Sequence, residues 1–249
     1  MITDRLSTLN RFQATGLHFL ASAAVIVLIF GLLKFVWYPQ QLFEAANGFD
    51  LLKILVLVDL VLGPLIMLII FNPKKKSLKF DVSVVLVCQL LFLGYGVWSL
   101  YTVRPAYIAF VDKQFHLVKA NETDDSKLDK IDNLDFKHLP NFGPIFVGTK
   151  MPESKELREE VLFAGIANFE LQNFPQYYIP IKDAQTQILS VSKTIENLSL
   201  GEDDKKALEK IKLKMESSGK KVLFCPLLTK GKQIFVVIDA SNGAVLGMN

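Results

Sequence analysis

The sequence predicts a membrane protein: a three-helix transmembrane bundle followed by an α+β extracytoplasmic domain. Three observations carry this expectation. Apolar residues make up 51% of the 249-residue chain and the mean hydropathy is +0.31, which is high for a water-soluble fold. The excess falls in three stretches, Gly16 to Tyr38, Leu51 to Phe71 and Phe80 to Tyr101, each near the roughly 20 residues needed to cross about 30 Å of hydrocarbon. From Arg104 onward the pattern changes to short alternating segments, turn residues and amphipathic stretches. The organisation is therefore a tail at 1–15, three spans within 16–103 (about 16–38, 51–71 and 80–101) and an exterior domain at 104–249.

The first span could be taken for a secretory signal, because Arg5 and Arg11 flank it and "ASAA" at 21–24 resembles a cleavage site. Only a few apolar residues precede that site, however, and the apolar run continues to Tyr38, so the segment reads as an uncleaved anchor. It ends in "FVWYP", where Trp37 and Tyr38 suit an interfacial aromatic belt and Pro39 stops the helix. The first connection, "PQQLFEAANGFD", carries Glu44 and Asp50 and no basic residue. The second, "NPKKKSLK", carries Lys74, Lys75, Lys76 and Lys79. The positive-inside rule puts the N-terminus and the lysine loop in the cytoplasm and everything after Tyr101 outside. These lysines are also placed to meet anionic lipid headgroups. No nucleic-acid partner is expected, because the loop offers no groove-reading element or aromatic platform. From Arg104 onward, 20 basic residues balance 20 acidic ones.

In the exterior domain, "AYIAFVDKQFHLVKA" alternates about Asp112-Lys113 and predicts a hairpin. The acidic "NETDDSKLDKIDNLDFKH" reads as loop with a helical turn. "PESKELREEVLFAGIANFELQ" predicts a helix with Leu157, Val161, Leu162, Ile166 and Phe169 on one face. Two prolines in "NFPQYYIPI" interrupt it, and "DAQTQILSVSKTIENL" and "GEDDKKALEKIKLKMESSGKK" predict two more helices. The second of these has acids at its start, lysines at its end and Gly219 as a cap. "VLFCPLLTKGKQIFVVIDASNGAVLGM" predicts strands turned at Lys230-Gly231 and Asn242-Gly243.

Catalytic constellations are scarce, and no cofactor, metal or enzymatic site is expected. Cys88 lies in the third span and Cys225 in a predicted strand, so the two cannot pair in one chain. His18, His116 and His138 are too scattered to form an evident cluster. No P-loop, nucleophile elbow, zinc-helix motif or dinucleotide fingerprint is present. The outstanding polar group is Asp59, inside the second span, where an ionised carboxylate costs about 3 kcal/mol on insertion scales. It calls for a partner or a proton. Lys34 near the outer end of span one and Gln89 in span three are the candidates, giving either a clamp within the bundle or a contact with a partner. Gly63-Pro64 should free backbone carbonyls near Leu60 and allow close helix approach.

The stretches "WYPQQLFEAANGFDLL", "VDLVLGPLIMLIIFNPKKKSLKFD", "YGVWSLYTVRPAYIAFVDKQFHLV" and "GPIFVG" together resemble the signature order of the TfpX/TfpZ family of type IV pilin accessory proteins. The matching positions are Trp37, Tyr38 and Pro39; Asp59, Leu62, Gly63 and Pro64; Lys76 to Asp81; and Arg104, Pro105, Tyr107, Phe110, Asp112 or Lys113, and Phe115. The sequence departs from that order at Lys113-Gln114 and in the run Leu65 to Ile70. The resemblance implies a bacterial inner-membrane protein with a cytoplasmic N-terminus and a periplasmic C-terminal domain. It would bind a cognate type IV pilin, through the pilin's membrane helix and periplasmic head, and promote pilus assembly without catalysis. Two other classes stay open: a membrane sensor, which with cytoplasmic segments of about 15 and 9 residues would need a partner to carry its signal, and a small proton-linked transporter or membrane enzyme.

Overall fold

The computed structural model describes residues 9–249, except Gln40, Asn47, Asp125, residues 127–130 and 132–133, Asn168 and residues 230–232. These fall into two compact units, one of residues up to 35 with 47–101 and one of residues 36–46 with 102–249.

The first unit holds three helices of 27, 23 and 25 residues, Arg11–Trp37, Gly48–Ile70 and Leu78–Thr102, each long and apolar enough to cross a membrane. Helix α1 (Arg11–Leu32) starts on a reciprocal cap: Gln13 N donates to Asn10 Oδ1 at 2.8 Å, and Asn10 N donates to Gln13 Oε1 at 3.0 Å. It continues into a π-helical turn at Leu33–Trp37. The second span begins in a helix at Gly48–Val56, widens to a π-helix at Leu57–Leu62 and resumes at Gly63–Ile70. Its widening has a local cause. Pro64 has no N–H to give to the Leu60 carbonyl four residues back, and a wider turn redistributes the backbone bonds upstream of it. The third span is unbroken. Ala14, Met67, Phe71, Leu78 and Val82 gather residues of all three helices into one apolar cluster. Leu28, Ile69 and Leu91 point outward, as expected of side chains meant for hydrocarbon.

The second unit is a seven-stranded mixed sheet in the order β4-β3-β1-β2-β5-β6-β7. Its strands are β1 (Pro105–Val111), β2 (Gln114–Lys119), β3 (Ile145–Thr149), β4 (Tyr178–Pro180), β5 (Val222–Leu228), β6 (Ile234–Asp239) and β7 (Val245–Met248). Strands β1 and β3, and β2 and β5, are parallel, and the other neighbours are antiparallel. The β1–β2 hairpin turns at Asp112, whose φ of 52° is one that Asp tolerates better than branched residues do. Both faces of the sheet are covered. Ile108, Phe110, Phe115 and Val236 belong to one cluster, while Tyr107, Ala109, Val118 and Val147 belong to another. This alternation along β1 is the period-two pattern of a strand buried on both sides.

The first cluster is roofed in part by Ala184 and Ile188, beside helix Gln185–Val191. It is also roofed by Leu42 and Ala45 of a short helix, Leu42–Ala45, from the connection between spans one and two. Helix Glu202–Glu216 has Glu202, Asp203 and Asp204 in its first turn, Lys214 in its last and Gly219 at φ 78° just beyond, and it buries Leu208 against Phe224 and Val237.

Helix Lys155–Ala164 corrects one expectation. Of the five residues assigned to its apolar face, Val161 is buried, whereas Leu157, Leu162, Ile166 and Phe169 are exposed, Ile166 by 83%. The helix ends at Ala164 and tightens into a 3-10 turn, Gly165–Ala167, so the 3.6-residue period that aligned Ile166 and Phe169 with Val161 does not continue. The expected Lys230-Gly231 turn lies outside the described residues. The Asn242-Gly243 turn does form, with Gly243 at φ 76° and its N–H donating to Asp239 O at 2.9 Å. A Cβ at Gly243 would come within 2.9 Å of the Gln185 carbonyl carbon. Gly243→Val combines a forbidden φ with a backbone clash, so it should lower stability by more than about 2 kcal/mol, read as a drop in melting temperature.

Candidate functional site

Asp59 sits within the π-helix of the second span and is 6% exposed. It lines a half-open cavity of about 150 Å³ whose other walls come from spans one and three, including His18, Ser22, Val25, Gln89 and Leu90. His18 is 9% exposed, and its Nε2, like Gln89 Nε2, has no hydrogen-bond partner among the described residues. The same holds for the Asp59 carboxyl. Gly63 makes the convergence possible. A Cβ there would lie 2.9 Å from His18 Nε2 and would overlap the Gln89 amide. Pro64, also buried, follows directly.

The structure thus brings Asp59, Gly63 and Gln89 together and adds His18, which sequence reading leaves as an isolated residue. The missed signal was positional: His18 and Ser22 are four apart, on one helical face. Lys34 goes elsewhere, with its ammonium 5.8 Å from the Phe30 ring centroid. Lys74, Lys75 and Lys76 lie exposed between the second and third spans, Lys79 is exposed in the first turn of the third, and Lys75 pairs with Asp81.

The remaining signature residues converge in the second unit. Arg104, 3% exposed, donates to the Pro140 carbonyl through Nε at 3.1 Å and Nη2 at 2.9 Å, while its own carbonyl accepts from Ala120 N at 2.9 Å. Tyr38 is fully buried and packs edge-on against Phe43, their centroids 5.5 Å apart. Gly143, at φ 62°, leaves space that a Cβ would fill to within 3.4 Å of the Val36 carbonyl and 3.7 Å of Pro39 Cγ. "WYP", "RP" and "GP", far apart in sequence, therefore meet around the root of the sheet. Pro105 and Phe110 are buried in β1. Tyr107 donates to His138 O at 3.4 Å and stacks edge-on with Tyr178 at 4.9 Å, and burial pushes its hydroxyl up to about 12 against the opposing pull of Arg104. Trp37 closes the π-helical end of span one. Tyr38, Arg104 and Gly143 make a structural joint within the sheet unit.

A second, wider hollow of about 720 Å³ lies beside the hairpin turn, lined by residues such as Asp112, His116, Met151, Leu162 and Glu170. Burial holds the His116 imidazole below its usual value, opposed by the Glu170 and Asp112 carboxylates. Cys225 is buried, its thiol pushed up to about 12 by desolvation, and it contacts the Lys113 carbonyl at 3.7 Å. A thiol held neutral in this way is a poor nucleophile. Among the described residues no group of three or more His, Cys, Asp or Glu is disposed to hold a metal ion.

Comparison with known proteins points one way. The chain is 26% identical over 240 residues to the fimbrial assembly protein of serogroup I from Dichelobacter nodosus, covering 92% of this chain and 91% of that protein. It matches the serogroup E1 protein of the same organism to the same extent. Against the protein of serogroups C1 and C2 it is 36% identical over 100 residues, which is 39% of this chain and 76% of that relative. No family model and no solved structure matches the chain. Its three spans, its mixed sheet and these matches agree with the resemblance carried by the signature stretches, and the chain belongs to the fimbrial assembly protein family, a group of type IV pilus accessory proteins.

Proposed function

We propose that this protein sits in a bacterial inner membrane with its N-terminus and lysine loop in the cytoplasm and its sheet unit in the periplasm. There it binds a cognate type IV pilin, in the manner of a chaperone, and promotes its assembly into surface fibres by contact rather than catalysis. The observation that carries this reading is the match along 92% of the chain to a protein named for fimbrial assembly, on a chain with three apolar spans. Membrane helices and a folded exterior unit suit a partner built the same way. The orientation draws support from the lysines, and the alternation of the three spans from the packing of residues 36–46 with 102–249, which requires those two segments to share a compartment.

Deleting the gene should greatly reduce surface pili while pilin is still made and its leader still removed. Normal piliation in the deletion strain would refute the reading. Orientation has its own test. A cysteine at Ser77 should react with a membrane-impermeant maleimide only after the inner membrane is opened, while cysteines at Ser126 or Ser241 should react once the outer membrane is permeable. Labelling of Ser77 from outside would reverse the topology.

A further inference from the structure

The cavity around Asp59 is an unusual thing to find inside a bundle of this size. Asp59 and Gln89 lie about halfway along their spans, and the rim consists of Val25, Leu86 and Leu90, all substantially exposed, Leu90 by 66%. The opening therefore faces sideways, at a depth where the surroundings are hydrocarbon. Small residues widen it, with Ala21 and Ser22 on span one and Gly63 on span two behind it. Its floor and walls carry two polar side chains more than nine-tenths buried, Asp59 and His18, together with the Gln89 amide; His18 and Gln89 lie beside each other, yet neither His18 Nε2 nor Gln89 Nε2 makes a well-formed hydrogen bond among the described residues, and neither does the Asp59 carboxyl. Unsatisfied polar groups in hydrocarbon cost several kcal/mol each, so they persist where something else completes them.

We propose that this cavity is a lateral receptor for another membrane helix, one that carries at mid-depth a single uncharged side chain able both to donate and to accept a hydrogen bond. Lipid tails offer neither function. The site itself sets the chemistry: the Gln89 amide nitrogen calls for an acceptor, the Asp59 carboxyl calls for a donor, and His18 Nε2 takes either one according to its tautomer. A hydroxyl, carboxamide or protonated carboxyl meets both demands, whereas a purely apolar helix meets neither. A volume of about 150 Å³ suits one such side chain rather than a whole helix. Ala21, Ser22 and the outward-facing Leu90 give the visiting backbone a surface it can approach closely, which is how helices associate in lipid. Under the proposed function, on which this inference rests, the visiting helix is that of the pilin.

The test uses the full-length protein in cells that make the pilin. A photocrosslinking amino acid at Val25 or Leu90 should capture the pilin, while one at Ile69, exposed on the second span, should not. Ser22→Leu, which fills the cavity, should weaken rim crosslinking at least tenfold at unchanged protein level. Gln89→Leu, which removes the polar group, gives a second reading if Ser22→Leu fails to accumulate. Rim crosslinks that survive both substitutions, or that capture only a second copy of this chain, overturn the receptor. Pilin crosslinks from Phe163 in the sheet unit with none from the rim overturn the receptor and leave pilin binding standing. Loss of crosslinks from both regions overturns pilin binding itself.

Discussion

Arg104→Met should lower the stability of the sheet unit by about 2–4 kcal/mol, through lost charged hydrogen bonds and a stranded acceptor. The guanidinium is almost wholly buried and donates two bonds to the Pro140 carbonyl, so methionine keeps much of the volume and strands that oxygen. Arg104 also opens β1, the strand buried on both faces, and its carbonyl ties the end of β2 through Ala120 N. The damage should therefore spread beyond one contact. Thermal melting of the detergent-purified protein is the measurement. Arg104→Lys should recover less than half of the loss, because an ammonium keeps the charge without the planar fork. An unchanged melting temperature for Arg104→Met would mean that the joint is held by apolar packing alone.

Partner choice should move with the whole sheet unit and with nothing smaller. Membrane helices present similar apolar surfaces, while exterior heads differ in shape and charge, so selectivity between pilins, a difference of affinities, is expected to reside in residues 36–46 and 102–249. Exchanging both segments together for those of a relative serving another pilin should preserve abundance and transfer the preference, scored by which pilin reaches the surface. Exchanging residues 120–249 alone should instead collapse the protein's level. That cut leaves β1 and β2 from one parent to pair with β3 and β5 from the other, and sets a foreign sheet under Leu42 and Ala45. Retention of the original preference by the intact double exchange would place selectivity in the membrane.

Much of this architecture is legible from residue order because its causes are local. The apolar runs declare the spans, Asp112-Lys113 and Asn242-Gly243 declare their turns, and the acids of Glu202–Asp204 declare a helix start. The limits of local reading are equally specific. Ile166 and Phe169 keep the spacing of a helix that has already ended, because one turn after Gly165 alters the period. His18 gains significance only when Gly63 admits it and Gln89 to the same spot, a meeting of three helices that no single segment encodes. Reach alone makes Lys34 a candidate partner for Asp59, but a nearby aromatic face is closer to hand than a carboxylate on another helix. The joining of Tyr38, Gly143 and Arg104 depends on tertiary contacts between residues 39 to 105 positions apart (143 − 104 and 143 − 38).

The packing of Leu42 and Ala45 into the sheet carries a consequence for biogenesis. Strands β5 and β6, which share their cluster, begin 180 residues or more after Leu42 (222 − 42 = 180), so the first connection must wait for all of that chain to be made before its core exists. Closing so long a loop is slow and entropically costly, and it succeeds only if all three spans have been threaded with the correct alternation. A chain in which one later span failed to insert would leave Leu42 and its sheet on opposite sides of the bilayer and would never complete the domain. Completion of the sheet unit is thus conditional on insertion of all three spans.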